Sequence, residues 1–397
     1  VRRLLRAVAR FLAWTFALLL VVAAGLVTLG WTGFGHAATA QRLDRVRASP
    51  EWQESRFVDP QPILNDNGRI VRDLFHSHPL TSPDPPLVTP PVDLARLAAM
   101  PASGLRVTWF GHSSTLVDLD GAHVLTDPMW SERVSPFPPS APLGPRRFYP
   151  PPIAIADLPP IDAVVISHDH FDHLDQATVQ ALAQKTEAVF VVPLGIGAHL
   201  AYWGVPESRI VELDWWQSTT VHGLTLTCTP ARHASGRFLT DRDHTLWGGF
   251  SIAGPAHRVF YSGDSGFFPG LRDIGTRLGP FDLAMIEAGQ YDQAWPDWHM
   301  GPERAVQASE LVRARRLLPV HWALFALANH VWTEPVERVL AAAKVRGVSV
   351  LTPAPGQSVE PTTETRLDGA DRWWPALPWV RAEQRPLVTS GIPADLE

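Results

Sequence analysis

The sequence predicts an α/β fold, sheets covered by helices, preceded by one membrane-spanning helix. Three observations lead there. Residues 11–31 carry no charged side chain and are dominated by Ala, Leu and Val. From residue 105 onward, strand-length apolar runs alternate with helical stretches, the pattern of layered sheets and helices. And a dense polar cluster, His168-Asp169-His170-Phe171-Asp172-His173, directly follows an apolar strand candidate at residues 162–167.

The chain has 397 residues, enough for one large domain or two ordinary ones. Its 45% apolar and 19% charged content is that of a globular protein, not a disordered one. The net charge of -6, with no long basic run, argues against nucleic acid as a partner. Cys228 is the one cysteine, which excludes an internal disulfide; within residues 224–228 it is expected as a small buried side chain.

The elements follow in chain order. Residues 1–35 are expected to be a membrane anchor, because a run of about 20 apolar residues crosses a hydrocarbon layer of about 30 Å as a helix. Trp14 and Trp31 sit near its ends, where aromatic belts form. Arg2, Arg3, Arg6 and Arg10 precede it, and no Lys or Arg follows until Arg42. The positive-inside tendency then puts the N-terminus in the cytoplasm and the rest of a single-pass protein on the extracytoplasmic side. The alternative is a signal peptide cleaved near Ala38-Thr39-Ala40, giving a secreted protein; the apolar run is long for that role.

Residues 36–104 are expected to be a connector, with helical character in 32–60 and an extended proline-rich segment at 79–91. A regular domain should occupy residues 105–360. Strands are expected at 105–110, 114–119, 122–126, 162–167, 188–192, 209–213, 224–229, 247–253, 257–262, 282–286, 317–320 and 348–351. Asp120-Gly121 marks the turn of a hairpin. Helices are expected at 174–184, 195–202, 302–314 and 334–345, with Pro302-Glu303 suited to a first turn. The proline-rich stretch 136–152 should be a long surface loop. Residues 361–397 form an irregular tail, with Trp373-Trp374 packing on the domain.

The polar cluster suits two adjacent metal ions. Residues two apart in extended chain point the same way, so His168 and His170 can grip one metal. A turn after Phe171 then aims Asp172 and His173 at a second. His233, Asp264 and His321 each stand just past the end of a strand candidate, where ligands from several strands can converge. His233 would complete the first site, His321 the second, and Asp264 could bridge. Neutral imidazole and carboxylate suit zinc, and also manganese or iron. Taken singly, His233, Asp264 or His321 would be an ordinary strand-end or turn residue. The cluster differs, because burying it without metal would strand several hydrogen-bonding groups. Asp127, in Thr126-Asp127-Pro128, is expected to support a ligand imidazole from behind.

His168-x-His170-x-Asp172-His173, with His233, Asp264 and His321 downstream, resembles the metallo-β-lactamase superfamily. Within it the chain is similar to the N-acylphosphatidylethanolamine-hydrolysing phospholipase D group. That likeness covers roughly residues 105–359 and rests on Thr108-Trp109-Phe110-Gly111-His112-Ser113, Gly144-Pro145-Arg146-Arg147-Phe148, Leu158-Pro159-Pro160-Ile161-Asp162-Ala163-Val164 and His321-Trp322-Ala323-Leu324-Phe325-Ala326-Leu327-Ala328-Asn329. The resemblance implies a four-layer αβ/βα sandwich with a two-metal site on one edge. It implies that Asp172 both binds metal and orients the attacking water, that His112 supports the site, and that His299 contacts the substrate phosphate. Phe171 stands where the group often has a tyrosine, so a phenol contact to phosphate is missing. His330 follows Asn329 where an acidic residue is expected.

The function expected is that of a membrane-anchored, two-metal phosphodiesterase acting on N-acyl phospholipids. Arg146 or Arg147 could add charge near phosphate, and Trp295, Trp298, Trp322 and Trp332 could line an acyl groove or pack in the core. The alternatives are a metal hydrolase of a lactone or amide, and a non-catalytic metal-binding membrane protein. The sequence sets no oligomeric state; a homodimer is one that it admits.

Overall fold

The computed structural model describes residues 2–73, 78–363 and 372–396. Two sheets face each other at its centre. The first runs in the order Ser358–Val359, Leu105–Gly111, Ser114–Leu119, Ala122–Thr126, Ala163–Val165, Val189–Pro193, Ile210–Leu213. The second runs Leu317–Val320, Leu283–Glu287, Arg258–Tyr261, Gly249–Ala253, Leu224–Thr229, Ser218–Val221. In each, an antiparallel meander is continued by parallel strands. A parallel pair needs a crossover. Helices Gln176–Lys185, Gly197–Tyr202, Gly270–Arg277 and Gly301–Leu311 supply four of the five crossovers, and the long loop 127–162 supplies the one between Ala122–Thr126 and Ala163–Val165.

Strand periodicity separates the layers. Val107, Trp109, Val117, Val124 and Val165 point inward and join Leu226, Phe250, Tyr261 and Met285 of the opposite sheet. Phe110, Leu116, Leu125, Val164, Phe190 and Val192 point outward and pack on Val179 and Leu182 of helix Gln176–Lys185. Helix Gly301–Leu311 covers the second sheet and packs against helix Glu334–Arg346. The result is the four-layer αβ/βα sandwich. Burial on both faces explains why the parallel strands Ala163–Val165, Val189–Pro193 and Leu317–Val320 are continuously apolar.

The expected helices and most strands are present, with shifts of a few residues at their ends. The strand expected at 162–167 stops at Val165, because the Ser167 N–H leaves the ladder for the Asp127 carboxylate at 2.7 Å. The strand expected at 348–351 is a single bridge from Val350 to Leu317; Pro353 follows and lacks a donor to extend it. Strand Ser218–Val221 escapes a sequence reading because it is a sheet edge with one buried residue, Val221. Within 32–60, helix Ala40–Arg47 and a short hairpin bring Val46 and Phe57 into the central core. Arg42 pins this stretch to Glu212 at 2.8 Å. Cys228 is buried, and Trp374 packs edge-on against Trp322.

Arg2–Gly30 forms one helix of 29 residues, long and apolar enough to cross a membrane, with its apolar side chains open to the outside.

A buried ion pair locks the first sheet. Arg106 Nε donates to Asp118 at 2.6 Å, and the guanidinium also holds the carbonyls of Arg96 and Ala99. His123 Nδ1 lies 2.6 Å from the other Asp118 oxygen. Asp118→Ala strands a buried cation and is expected to cost about 3–5 kcal/mol. Thermal unfolding should show that loss, while metal content stays at the wild-type value because none of these groups touches the candidate ligands.

Candidate metal centre

The candidate ligands stand at or just beyond the C-terminal ends of strands. Asp127 follows Ala122–Thr126, the hexapeptide follows Ala163–Val165, and His233 follows Leu224–Thr229. Asp264 follows Arg258–Tyr261, and His321 follows Leu317–Val320. His112 occupies the turn between Leu105–Gly111 and Ser114–Leu119. The two sheets are tied together here: His112 N donates to Trp322 O and His321 N donates to His112 O. His112, Asp127 and His321 hold positive φ of 52°, 32° and 66°. Such backbone costs on the order of 1–3 kcal/mol per residue and persists where surrounding contacts over-determine it.

Two donor groups form. In the first, His168 Nε2 lies 2.9 Å from His170 Nδ1, which lies 3.2 Å from His233 Nε2. The far side of two of these rings is tied off. His168 Nδ1 meets the Ser167 hydroxyl at 2.9 Å, and His233 Nδ1 meets Trp298 O at 3.1 Å. Their Nε2 atoms therefore present lone pairs to one point. In the second, Asp172, His173 and His321 gather with His112. Asp264 lies between the groups: its Oδ2 is 3.1 Å from His173 Nε2, 3.8 Å from His168 Nε2 and 3.9 Å from His233 Nε2, and its Oδ1 is 3.1 Å from His321 Nδ1.

The residues fit divalent metal ions. His173 Nε2 and Asp264 Oδ1 are buried without a hydrogen-bond partner. Ligands bound at 2.0–2.1 Å in a tetrahedral shell stand about 3.3 Å apart, close to the spacings found here. Protonation follows suit. Burial and neighbouring imidazoles push His168, His233 and His321 well below the usual histidine range, so they are neutral. Burial opposes ionisation of Asp172 and Asp264, but the surrounding imidazoles outweigh it and hold both carboxylates ionised. His173 goes the other way. Burial lowers it, yet Asp264, Asp172 and Asp127 together raise it well above the ordinary value.

Asp127 supports the site from behind. Its Oδ2 accepts from His173 Nδ1 at 2.6 Å, from the Ser167 hydroxyl at 2.5 Å and from the Tyr261 hydroxyl. His112 does not back an imidazole: its Nε2 contacts Asp172 Oδ2 at 2.8 Å. His299 stacks on His321 with ring centroids 5.1 Å apart, and its Nδ1 lies 2.8 Å from Glu287 Oε2. Burial would lower His299, but the Glu287 carboxylate raises it overall. Burial raises Glu287 to about 7. The sequence marks no role for Ser167 or Tyr261, and its one signal for Glu287 is a lone acid closing the apolar strand Leu283–Glu287.

Several expected substrate groups are engaged elsewhere. Arg147 is buried and donates to the carbonyls of Tyr149, Trp130 and Ser131. Arg146 pairs with Glu132 at the surface. Trp322 and Trp332 are buried in the core, whereas Trp295 and Trp298 are half-buried near His299. Phe171 is half-buried, with Arg237 over its ring.

Comparison with known proteins agrees with this architecture. Residues 122–322 match the β-lactamase superfamily domain. Over 335 residues the chain is 48% identical to an uncharacterised protein of Mycobacterium tuberculosis, covering 82% of this chain and 87% of the relative. Over 249 residues it is 38% identical to N-acyl-phosphatidylethanolamine-hydrolyzing phospholipase D 1 of Caenorhabditis elegans, covering 60% of this chain and 69% of the relative. The crystal structure of an isothiocyanate hydrolase from Delia radicum gut bacteria shares the fold, with a TM-score of 0.50 at 20% identity, over 64% of this chain and 98% of that one.

Proposed function

Since the chain belongs to the metallo-β-lactamase superfamily of metal-dependent hydrolases, we propose that it is a two-metal phosphodiesterase of the phospholipase D type. Its substrates are N-acylphosphatidylethanolamine-like lipids, and the N-terminal helix holds it at their membrane. The observation that carries this reading is the convergence of His168, His170, His233, Asp172, His173, Asp264 and His321 in a chain 38% identical to an enzyme named for that hydrolysis.

When bound, a metal pair, zinc in this reading, would supply Lewis-acid polarisation of a phosphoryl oxygen and lower the pKa of water toward neutrality. The chain's own groups do the rest. His168, His170 and His233 would hold one ion and Asp172, His173 and His321 the other, with Asp264 lying between the two groups. Asp172 orients the attacking water and takes up its proton, with His112 fixing the carboxylate. His299, with Nδ1 tied to Glu287, keeps Nε2 as a donor for a phosphoryl oxygen. Phe171 adds apolar surface where a phenol would have added a donor. Phosphorus gains the water oxygen and loses the head-group oxygen, which receives the proton taken up by Asp172, giving phosphatidic acid and an N-acylethanolamine.

The test is a panel of an N-acylphosphatidylethanolamine, a lactone and an amide, given to metal-loaded full-length protein, with products identified by mass. Formation of the N-acylethanolamine is expected. Turnover confined to the lactone or amide would replace the phosphodiester reading. No turnover, with two metals bound, would favour a non-catalytic metal-binding protein.

The arginines before the anchor support a topology with the N-terminus in the cytoplasm and the sandwich on the other side. A reporter fused after Glu397 that is active only outside the cytoplasm should therefore be active. A silent fusion, with a cytoplasmic reporter active instead, would reverse the topology.

A further inference from the structure

Arg237 lies outside the ligand set, in the loop after His233, and is buried at 4% exposure. Its guanidinium donates to main-chain carbonyls on two sides. Nε and Nη2 hold Gly33 O at 3.0 and 2.8 Å. Nη1 holds Asp169 O at 2.6 Å and Leu174 O at 2.9 Å. Asp169 lies inside the hexapeptide and Leu174 directly follows it. The guanidinium also covers the Phe171 ring, 4.2 Å from its centroid. One side chain therefore grips the start, the middle and the end of the ligating loop.

Gly33 lies just beyond helix Arg2–Gly30, in a stretch that is seated in its own right. Trp203 Nε1 donates to Thr32 O at 2.8 Å, and His36 N donates to His199 Nδ1 at 2.9 Å. The Phe34 and Phe238 rings meet at 4.8 Å. Gly33 is flush against the proline-rich loop: a Cβ there would stand 1.9 Å from Pro136 O. The foot of the helix thus has a fixed position on the sandwich, and through Gly33 O it fixes the plane of the Arg237 fork.

We propose that Arg237 is a positioning residue that couples the seating of the N-terminal helix to the geometry of the metal-ligating loop; this rests on residues 168–173 being that loop. Two donors of the fork are committed to Gly33, so the third can meet Asp169 and Leu174 only while the helix foot stays in place. A guanidinium is suited to this role because its donors form one rigid plane, whereas a lysine offers a single flexible point. Burial pulls Arg237 down to about 10, which still leaves it charged at neutral pH. The anchor would then do more than tether: displacing its foot would loosen His168, His170 and Asp172.

The test uses the full-length chain in detergent with two readouts besides turnover: cobalt(II) affinity with its visible absorption, and amide hydrogen exchange across residues 168–174. Arg237→Met is expected to weaken cobalt binding about tenfold or more, the scale of lost support behind metal ligands, and to speed exchange across the loop. Arg237→Lys should recover part of both. Trp203→Phe, which frees Thr32 O, and Gly33→Ala, which forces the foot off Pro136, should shift the same readouts without altering any ligand. The double variant Trp203→Phe/Arg237→Met should be no worse than Arg237→Met alone, since both break one linkage. Cobalt affinity within twofold of wild type in Arg237→Met, or additive effects in the double variant, would overturn the coupling. If Arg237→Met does not fold, Arg237→Lys and Trp203→Phe decide by the same readouts. Wild-type protein that takes up no cobalt would instead overturn the reading of the loop itself.

Discussion

Asp172→Asn is expected to cut turnover about 10²–10⁴-fold, the usual worth of a positioned proton acceptor, with the chain still folded. The substitution keeps the shape of the side chain. His112 Nε2, 2.8 Å away, can still donate to the remaining oxygen. What disappears is the negative charge that the surrounding imidazoles keep on this carboxylate despite its burial. An amide binds a metal ion more weakly than a carboxylate and cannot take a proton from water. Steady-state rates on a soluble phosphodiester, together with a melting curve, separate loss of chemistry from loss of fold. A variant that melts like wild type and turns over at wild-type rates would remove Asp172 from its role.

Asp127→Asn should weaken metal binding about 10–100-fold without altering any ligand. The carboxylate takes the Ser167 N–H on Oδ1, and the His173 ring N–H and the Ser167 and Tyr261 hydroxyls on Oδ2. An asparagine has one accepting oxygen, so in either orientation its NH₂ faces at least one donor. The positive φ of 32° at this position is a conformation that asparagine tolerates, so the backbone stays in place. The mispaired donors are buried, and the variant should also lose about 2–4 kcal/mol of stability. Competition with a chelator measures the first effect and thermal unfolding the second. Unchanged metal affinity would mean that the His173 ring holds its orientation without Asp127.

The sequence shows some parts of this site far better than others, for physical reasons. The hexapeptide is legible because its donors are neighbours in the chain, and no buried strand end would carry so many polar groups without a use for them. His233, Asp264 and His321 are legible as strand-end residues, and the resemblance assembles them; their meeting depends on two sheets that the sequence cannot orient. Glu287, Ser167 and Tyr261 stay hidden because each sits in an ordinary strand or at its edge and gains its role from what lies opposite. Arg237 reads as a loop residue until the helix foot is packed beside it. The layered core is visible in the continuous apolar runs, whereas Ser218–Val221 and Ser358–Val359 are short edge strands that a pattern of burial does not mark. Arg146 and Arg147 are engaged elsewhere for a similar reason: whether a loop arginine meets a carboxylate, as Arg146 does, or carbonyls, as Arg147 does, is a tertiary property.

The most direct measurement is the metal-to-protein ratio of the full-length chain, loaded with excess zinc, freed of unbound ion and analysed by plasma mass spectrometry. Two zinc ions per chain is the expected ratio, one for each donor group on either side of Asp264. A ratio of one would contradict the paired centre, and a ratio of zero would remove the metal chemistry altogether.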